Sequence, residues 1–105
     1  MDLLQHLKNN MYQHHPQTKG YFEKISFQYA KVIFAKRIHL GFTQRKLAEL
    51  SGVSLKTITR IEAGSTNVTV DSFEKVFDAL EMTIQEVSKA IVEMNEADDE
   101  TVATI

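Results

Sequence analysis

Gly41-Phe42-Thr43-Gln44-Arg45-Lys46-Leu47-Ala48-Glu49-Leu50-Ser51-Gly52-Val53-Ser54-Leu55-Lys56-Thr57-Ile58-Thr59-Arg60-Ile61-Glu62-Ala63-Gly64 decides the fold of this chain. It divides at Gly52 into two short helical segments joined by a tight turn. Thr43 stands where an N-cap is needed, because its hydroxyl can accept from an orphan backbone N–H of the first turn. Leu47, Ala48 and Leu50 form the apolar side of that helix, and Ala48 is small enough to let a neighbouring helix approach. Gly52 follows the last helical residue, where the left-handed conformation costs glycine least. Val53 plugs the corner, Ser54 caps the second helix, and Gly64 closes it.

At 100° per residue the second helix sorts into two faces. Ile58, Ile61 and Glu62 fall together, with Leu55 at their edge. Lys56, Thr59 and Arg60 lie opposite, and Thr57 sits on a flank. Taken alone, the polar face is an ordinary solvated one. Behind a capped helix and a glycine turn at this spacing, it has the arrangement that places side chains in the DNA major groove. Arg and Lys can pair with guanine edges, and Thr can bond a base edge or touch a thymine methyl.

Glu62 is a carboxylate on the core side of its helix, and an unpaired buried charge is too costly to keep. The segment from Phe27 to Leu40 supplies a partner. On its wheel Arg37 lies inside an apolar arc, with Ile33 and Leu40 to one side and Phe34 and Ile38 to the other. An Arg37–Glu62 ion pair clamping the two helices together is therefore predicted; the competing outcome has both side chains snorkelling to water.

These motifs resemble the phage-repressor and Cro type of helix-turn-helix domain, the XRE family. The likeness runs from about Ser26 to Lys89. It is carried by Ala35-Lys36-Arg37-Ile38-His39-Leu40-Gly41-Phe42-Thr43-Gln44, Leu47-Ala48, Gly52-Val53-Ser54 and Ile58-Thr59-Arg60-Ile61-Glu62-Ala63-Gly64. The resemblance implies an all-α, five-helix domain that binds double-stranded operator DNA, usually as a two-fold dimer. It implies a phosphate contact at Gln44, and base or phosphate contacts at Ser54, Leu55, Lys56, Thr57, Thr59 and Arg60. It also implies a backbone approach at Asn67 and an interior ion pair at Arg37 and Glu62. Three residues depart from the family pattern: Leu55 where a polar base-reading residue is common, Val68 in place of a loop proline, and Glu81 where a glycine often ends the fourth helix.

Beyond the loop Ser65-Thr66-Asn67-Val68, Thr69 can cap a fourth helix through Leu80, with Val70, Phe73, Val76, Phe77 and Leu80 as its core-facing set. Thr83-x-x-Glu86 is a capping box opening a fifth helix, with Ile84, Val87, Ile91 and Met94 along one side. That stripe can cover the domain's own core or bury a homodimer partner. The end, Glu96-Ala97-Asp98-Asp99-Glu100-Thr101 onward, is acidic and expected to fray. At the other end Leu3, Leu4, Leu7 and Met11 form a short amphipathic stripe before His14-His15-Pro16, and Pro16 and Gly20 argue for a break. The expected organisation is an arm over 1–21, a DNA-binding domain over 22–94 and an acidic tail over 95–105.

Composition narrows the function. With 105 residues, 43% of them apolar, the chain has room for one small domain and no large enzyme pocket. No paired carboxylates, Ser/His/Asp set or phosphate-cradling loop occurs at a usable spacing, so no enzyme and no cofactor are expected. Without cysteine a structural zinc site is disfavoured, and adjacent His14 and His15 do not share a helix face; no metal is expected. The lack of cysteine also suits the cytoplasm, and no apolar run reaches membrane-spanning length.

The net charge of −2 conceals a strong segregation. Residues 1–60 hold ten Lys/Arg against three acids, whereas residues 61–105 hold two against eleven. A basic half can face phosphates while the acidic half points away. The sequence thus predicts a DNA-binding transcriptional regulator, a repressor dimer on a palindromic operator. Two other functions fit the same fold: an antitoxin holding a toxin through residues 1–20 or 90–105, and an adaptor that binds no DNA.

Overall fold

In the computed structural model, Leu3 and residues 25–103 are described, with side chains through residue 96. Within residues 25–103 five helices follow one another: α1 Ile25–His39, α2 Gln44–Ser51, α3 Leu55–Glu62, α4 Val70–Ala79 and α5 Ile84–Ala103. No strand occurs among the described residues. The expected arm over 1–21, with Leu4, Leu7, Met11, His14, His15 and Pro16, lies outside them except for Leu3, which is helical.

Short polar residues start four of the helices. Thr43 Oγ1 accepts from the Lys46 N–H at 3.0 Å, Ser54 Oγ from Thr57 at 3.1 Å and Thr69 Oγ1 from Ser72 at 3.1 Å. At α5 the capping box is reciprocal: Thr83 Oγ1 accepts from the Glu86 N–H at 3.2 Å, and Glu86 Oε1 accepts from the Thr83 N–H at 3.1 Å. The Thr83 N–H, and after it the Thr83 hydroxyl at 3.1 Å, hold the Glu86 carboxyl below the usual carboxylate range. Gly52 ends α2 at φ 74°, and its N–H donates to the Ala48 carbonyl at 3.0 Å.

Ile33, Leu47, Val53, Ile58, Ile61, Phe73, Val76 and Leu80 form one core where the helices cross. Helix α1 packs on α3 and α5, and α2 packs on α3 and α4. Tyr29 meets Phe73 and Phe77 edge to face, with ring centroids 5.1 and 5.5 Å apart. Val68, in the loop before α4, packs against this cluster.

Several expectations are corrected. Val70 and Ile84 belong to no core: they are 71% and 67% exposed. Each is the first residue of its helix, and side chains lean toward the N-terminus, so both project past the packed turn. The arc around Arg37 is not uniformly covered either, since Phe34, Ile38 and Leu40 are exposed. Helix α5 runs on into the acidic end as far as Ala103. On α5 itself Val87 is buried, whereas Ile91 and Met94 are only half-buried.

Candidate nucleic-acid interface

Helix α3 is seated by its apolar side. Ile58 and Ile61 are wholly buried, which fixes the helix against α1 and α2 and turns the remaining residues outward. Ser54, Leu55, Lys56, Thr59 and Arg60 are exposed and Thr57 is half-buried. Leu55, 37% exposed, stands at the outer face and not in the core. Thr59 Oγ1 donates to the Leu55 carbonyl at 3.0 Å, while Ser54 Oγ donates to Thr57 Oγ1 at 2.9 Å. Lys56 and Arg60, one turn apart, are thus presented on a face whose hydroxyls are already oriented.

Behind this face lies the ion pair. Arg37 Nε donates to Glu62 Oε2 at 2.7 Å and Nη2 to Oε1 at 2.8 Å, a bidentate fork with side chains only 10% and 6% exposed. Arg37 Nη1 donates to the Phe42 carbonyl at 2.8 Å, tying in the turn before α2. These bonds push the guanidinium above its usual range; the Glu62 hydrogen bonds dominate, and burial opposes them. Phe34 lies beside the pair, its ring centroid 5.4 Å from the guanidinium carbon.

Gln44 is placed less simply than a free phosphate contact. Its Nε2 donates to Glu62 Oε1 at 3.2 Å, and its Oε1 lies 3.4 Å from Thr59 Oγ1, a second and longer acceptor for the hydroxyl that also reaches the Leu55 carbonyl. The side chain therefore bridges the buried pair to the outer face of α3. Asn67 is exposed in the loop after Gly64, its N–H donating to Ser65 Oγ at 3.2 Å.

The charge around the helix starts is informative. The first turns of α2 and α3 contain no acid, and α2 carries Arg45 and Lys46 there; α4 and α5 carry Asp71 and Glu86. Cations at a helix N-terminus oppose the macrodipole, so Arg45 and Lys46 are better suited to a phosphate than to the helix itself. The sequence reading names only Gln44 in that turn, although the signal, two adjacent basic residues after an N-cap, is legible.

Residues 33–87, just over half of the chain, match the family model described as helix-turn-helix. The chain belongs to the helix-turn-helix family. Within it this domain is of the Cro/C1 or XRE type, a DNA-binding transcription regulator, and the family is regulatory and not enzymatic. No curated protein and no solved structure matches the chain. Among the described residues no helix is long and apolar enough to cross a membrane.

Proposed function

We propose that this helix-turn-helix protein is a repressor that binds a palindromic operator as a homodimer, in the cytoplasm. The observation that carries the reading is the exposed face of α3, rich in donors and locked from behind by the Arg37–Glu62 fork. Lys56 and Arg60 read base edges, and Thr57 and Thr59 bond bases or phosphates. Leu55 offers apolar contact to a thymine methyl, and Ser54 lies at the rim. Gln44 positions Thr59 and approaches a phosphate at the start of α2, while Asn67 approaches the backbone.

The second copy lies along an open apolar groove between α1 and α5, about 450 Å³ in volume and lined by Val32, Ala35, Met82, Ala90 and Met94 among others. Half-buried Ile91 and Met94 and exposed Val92 support this placement. A two-fold dimer sets its recognition helices about 34 Å apart, one turn of DNA.

Selection from randomised duplex DNA tests the reading, run with the wild type, Arg60→Ala and the Lys56→Ala/Arg60→Ala double variant. An enriched palindrome, lost in the double variant, is expected. Arg60→Ala alone relaxes one base position at a cost of roughly 1–3 kcal/mol. No enrichment by the wild type at low salt would overturn sequence-specific binding.

A further inference from the structure

Helices α4 and α5 leave an apolar trough between them that neither the core nor the outer face of α3 uses. Two adjoining hollows, about 290 and 140 Å³ in volume, share Glu74, Phe77 and Ile84 as walls. Val70 lines the smaller and Met82 the larger. Val70 and Ile84 are the most exposed large apolar residues of the five helices, and they converge from different helices on the same hollow. Two bare aliphatic side chains meeting at one depression mark a contact surface, where scattered ones would not.

The rim of this trough is acidic. Glu74 and Asp78, one turn apart on α4, both line it, and Glu81 directly precedes Met82 in the turn to α5. No lysine or arginine lines either hollow, and Glu74, Asp78 and Glu81 form no ion pair among the described residues. Asp71, the other acid of α4, is already paired with Lys75 at 3.1 Å. Two of the three placements work against the fold. Asp78 stands in the last turn of α4, where a carboxylate opposes the macrodipole and no base offsets it. Glu81 takes φ 57°, a conformation that disfavours any Cβ. Carboxylates kept where local stability disfavours them point to something that they face outside the chain.

We infer that this trough docks a basic amphipathic helix of another protein. From Val70 to Phe77 α4 advances two turns, about 10 Å, the length over which a helix presents apolar residues at i, i+3 or i+4 and i+7. Lysines or arginines flanking such a stripe then meet Glu74, Asp78 and Glu81. The same rim argues against other occupants. An all-carboxylate border repels nucleic acid. A second copy related by a two-fold axis would bring identical carboxylates face to face. None of the trough residues belongs to α2 or α3, so the docked protein leaves the outer face of α3 uncovered.

The probe is a fluorescein-labelled synthetic helix of about five turns, with leucine at i, i+3, i+4 and i+7 and lysine on both flanks. Full-length protein is titrated into it at low salt and binding is followed by anisotropy. Saturable binding is expected, and the same helix with glutamate for lysine should bind at least about tenfold more weakly. Val70→Ser/Ile84→Ser should weaken the lysine probe at least about tenfold, and Glu74→Gln/Asp78→Asn at least about fivefold. Glu49→Gln/Glu96→Gln removes the same charge outside the trough and should leave affinity within about twofold. All six side chains are exposed, so the helical signal should hold in every variant. No saturable binding, or equal weakening by the two carboxylate pairs, overturns the inference. A wild-type dimer that sedimentation shows reduced to monomer by Val70→Ser/Ile84→Ser assigns the trough to a second copy and overturns it as well. No readout here involves DNA, so these outcomes stand apart from the operator selection.

Discussion

Replacing Glu62 by Met separates the electrostatics of the clamp from its packing, because methionine keeps the length and volume of the side chain. The substitution removes two charge-assisted hydrogen bonds to Arg37, at 2.7 and 2.8 Å, and the 3.2 Å bond from Gln44. With both partners at least nine-tenths buried, loss of one leaves an uncompensated charge, a change worth about 3–5 kcal/mol. Two features move the expectation to the lower end. Arg37 retains the Phe42 carbonyl, and Phe34, on the exposed side, offers a ring along which the guanidinium can swing outward.

A loss of about 3 kcal/mol is therefore expected, read by urea unfolding with an unchanged denaturant slope. It corresponds to a melting shift of roughly 12–24 °C for a domain of this size. The Arg37→Met variant completes the cycle. Replacing both members by apolar residues of similar volume removes the orphaned charge, so the double variant should be more stable than either single one. The expected coupling is about 2–3 kcal/mol. A Glu62→Met loss under about 1 kcal/mol, with additive singles, would place the pair in the solvated class and refute the clamp.

The remaining predictions concern the ends of helices. Glu81 adopts φ 57°, the one positive φ at a non-glycine residue among those described, so Glu81→Gly should stabilise the fold by up to about 1 kcal/mol. A melting temperature that stays level or falls would contradict this. Gly64→Ala should cost about 1–2 kcal/mol, because Gly64 has φ 79° and an added Cβ would press on the Phe27 ring at 3.2 Å. Gly52→Ala, at φ 74° with nothing within 4 Å, should cost less, and equal losses by chemical unfolding would remove Phe27 from the account. The Glu86 carboxyl titrates below its ordinary value of 4.5 when folded, so its contribution is complete above that value and disappears as pH falls through the lowered one. The wild type should exceed Glu86→Gln in stability near neutral pH, and the gap should close on acidification; a gap that widens in acid would reverse the sign.

The features that were legible in the sequence are those with local causes. Thr43, Ser54, Thr69 and Thr83 could be read as caps because each precedes a helical period and carries a short oxygen, and all four make the bond. Arg37 and Glu62 could be paired across 25 residues because two charges on apolar faces have few other solutions. What the wheel could not supply is how far neighbours cover a face. It put Phe34 and Ile38 beside Arg37 correctly in angle, yet α3 reaches only the Ile33–Arg37 side, and the outer part of the arc stays open. It assigned Val70 and Ile84 to core stripes because angle carries no information about whether a residue sits at a helix end. Gln44 shows the same limit at the interface. The family resemblance implies a phosphate there, while its contacts with Glu62 and Thr59 follow from how α2 meets α3, a relation no single helix contains. A side chain that joins the buried pair to Thr59 makes the geometry of the outer face depend on the clamp. Loss of Glu62 should therefore blur base discrimination even in a variant that remains folded, and the Arg37→Met/Glu62→Met protein, stable but without the Gln44 anchor on Glu62, is where that dependence can be measured.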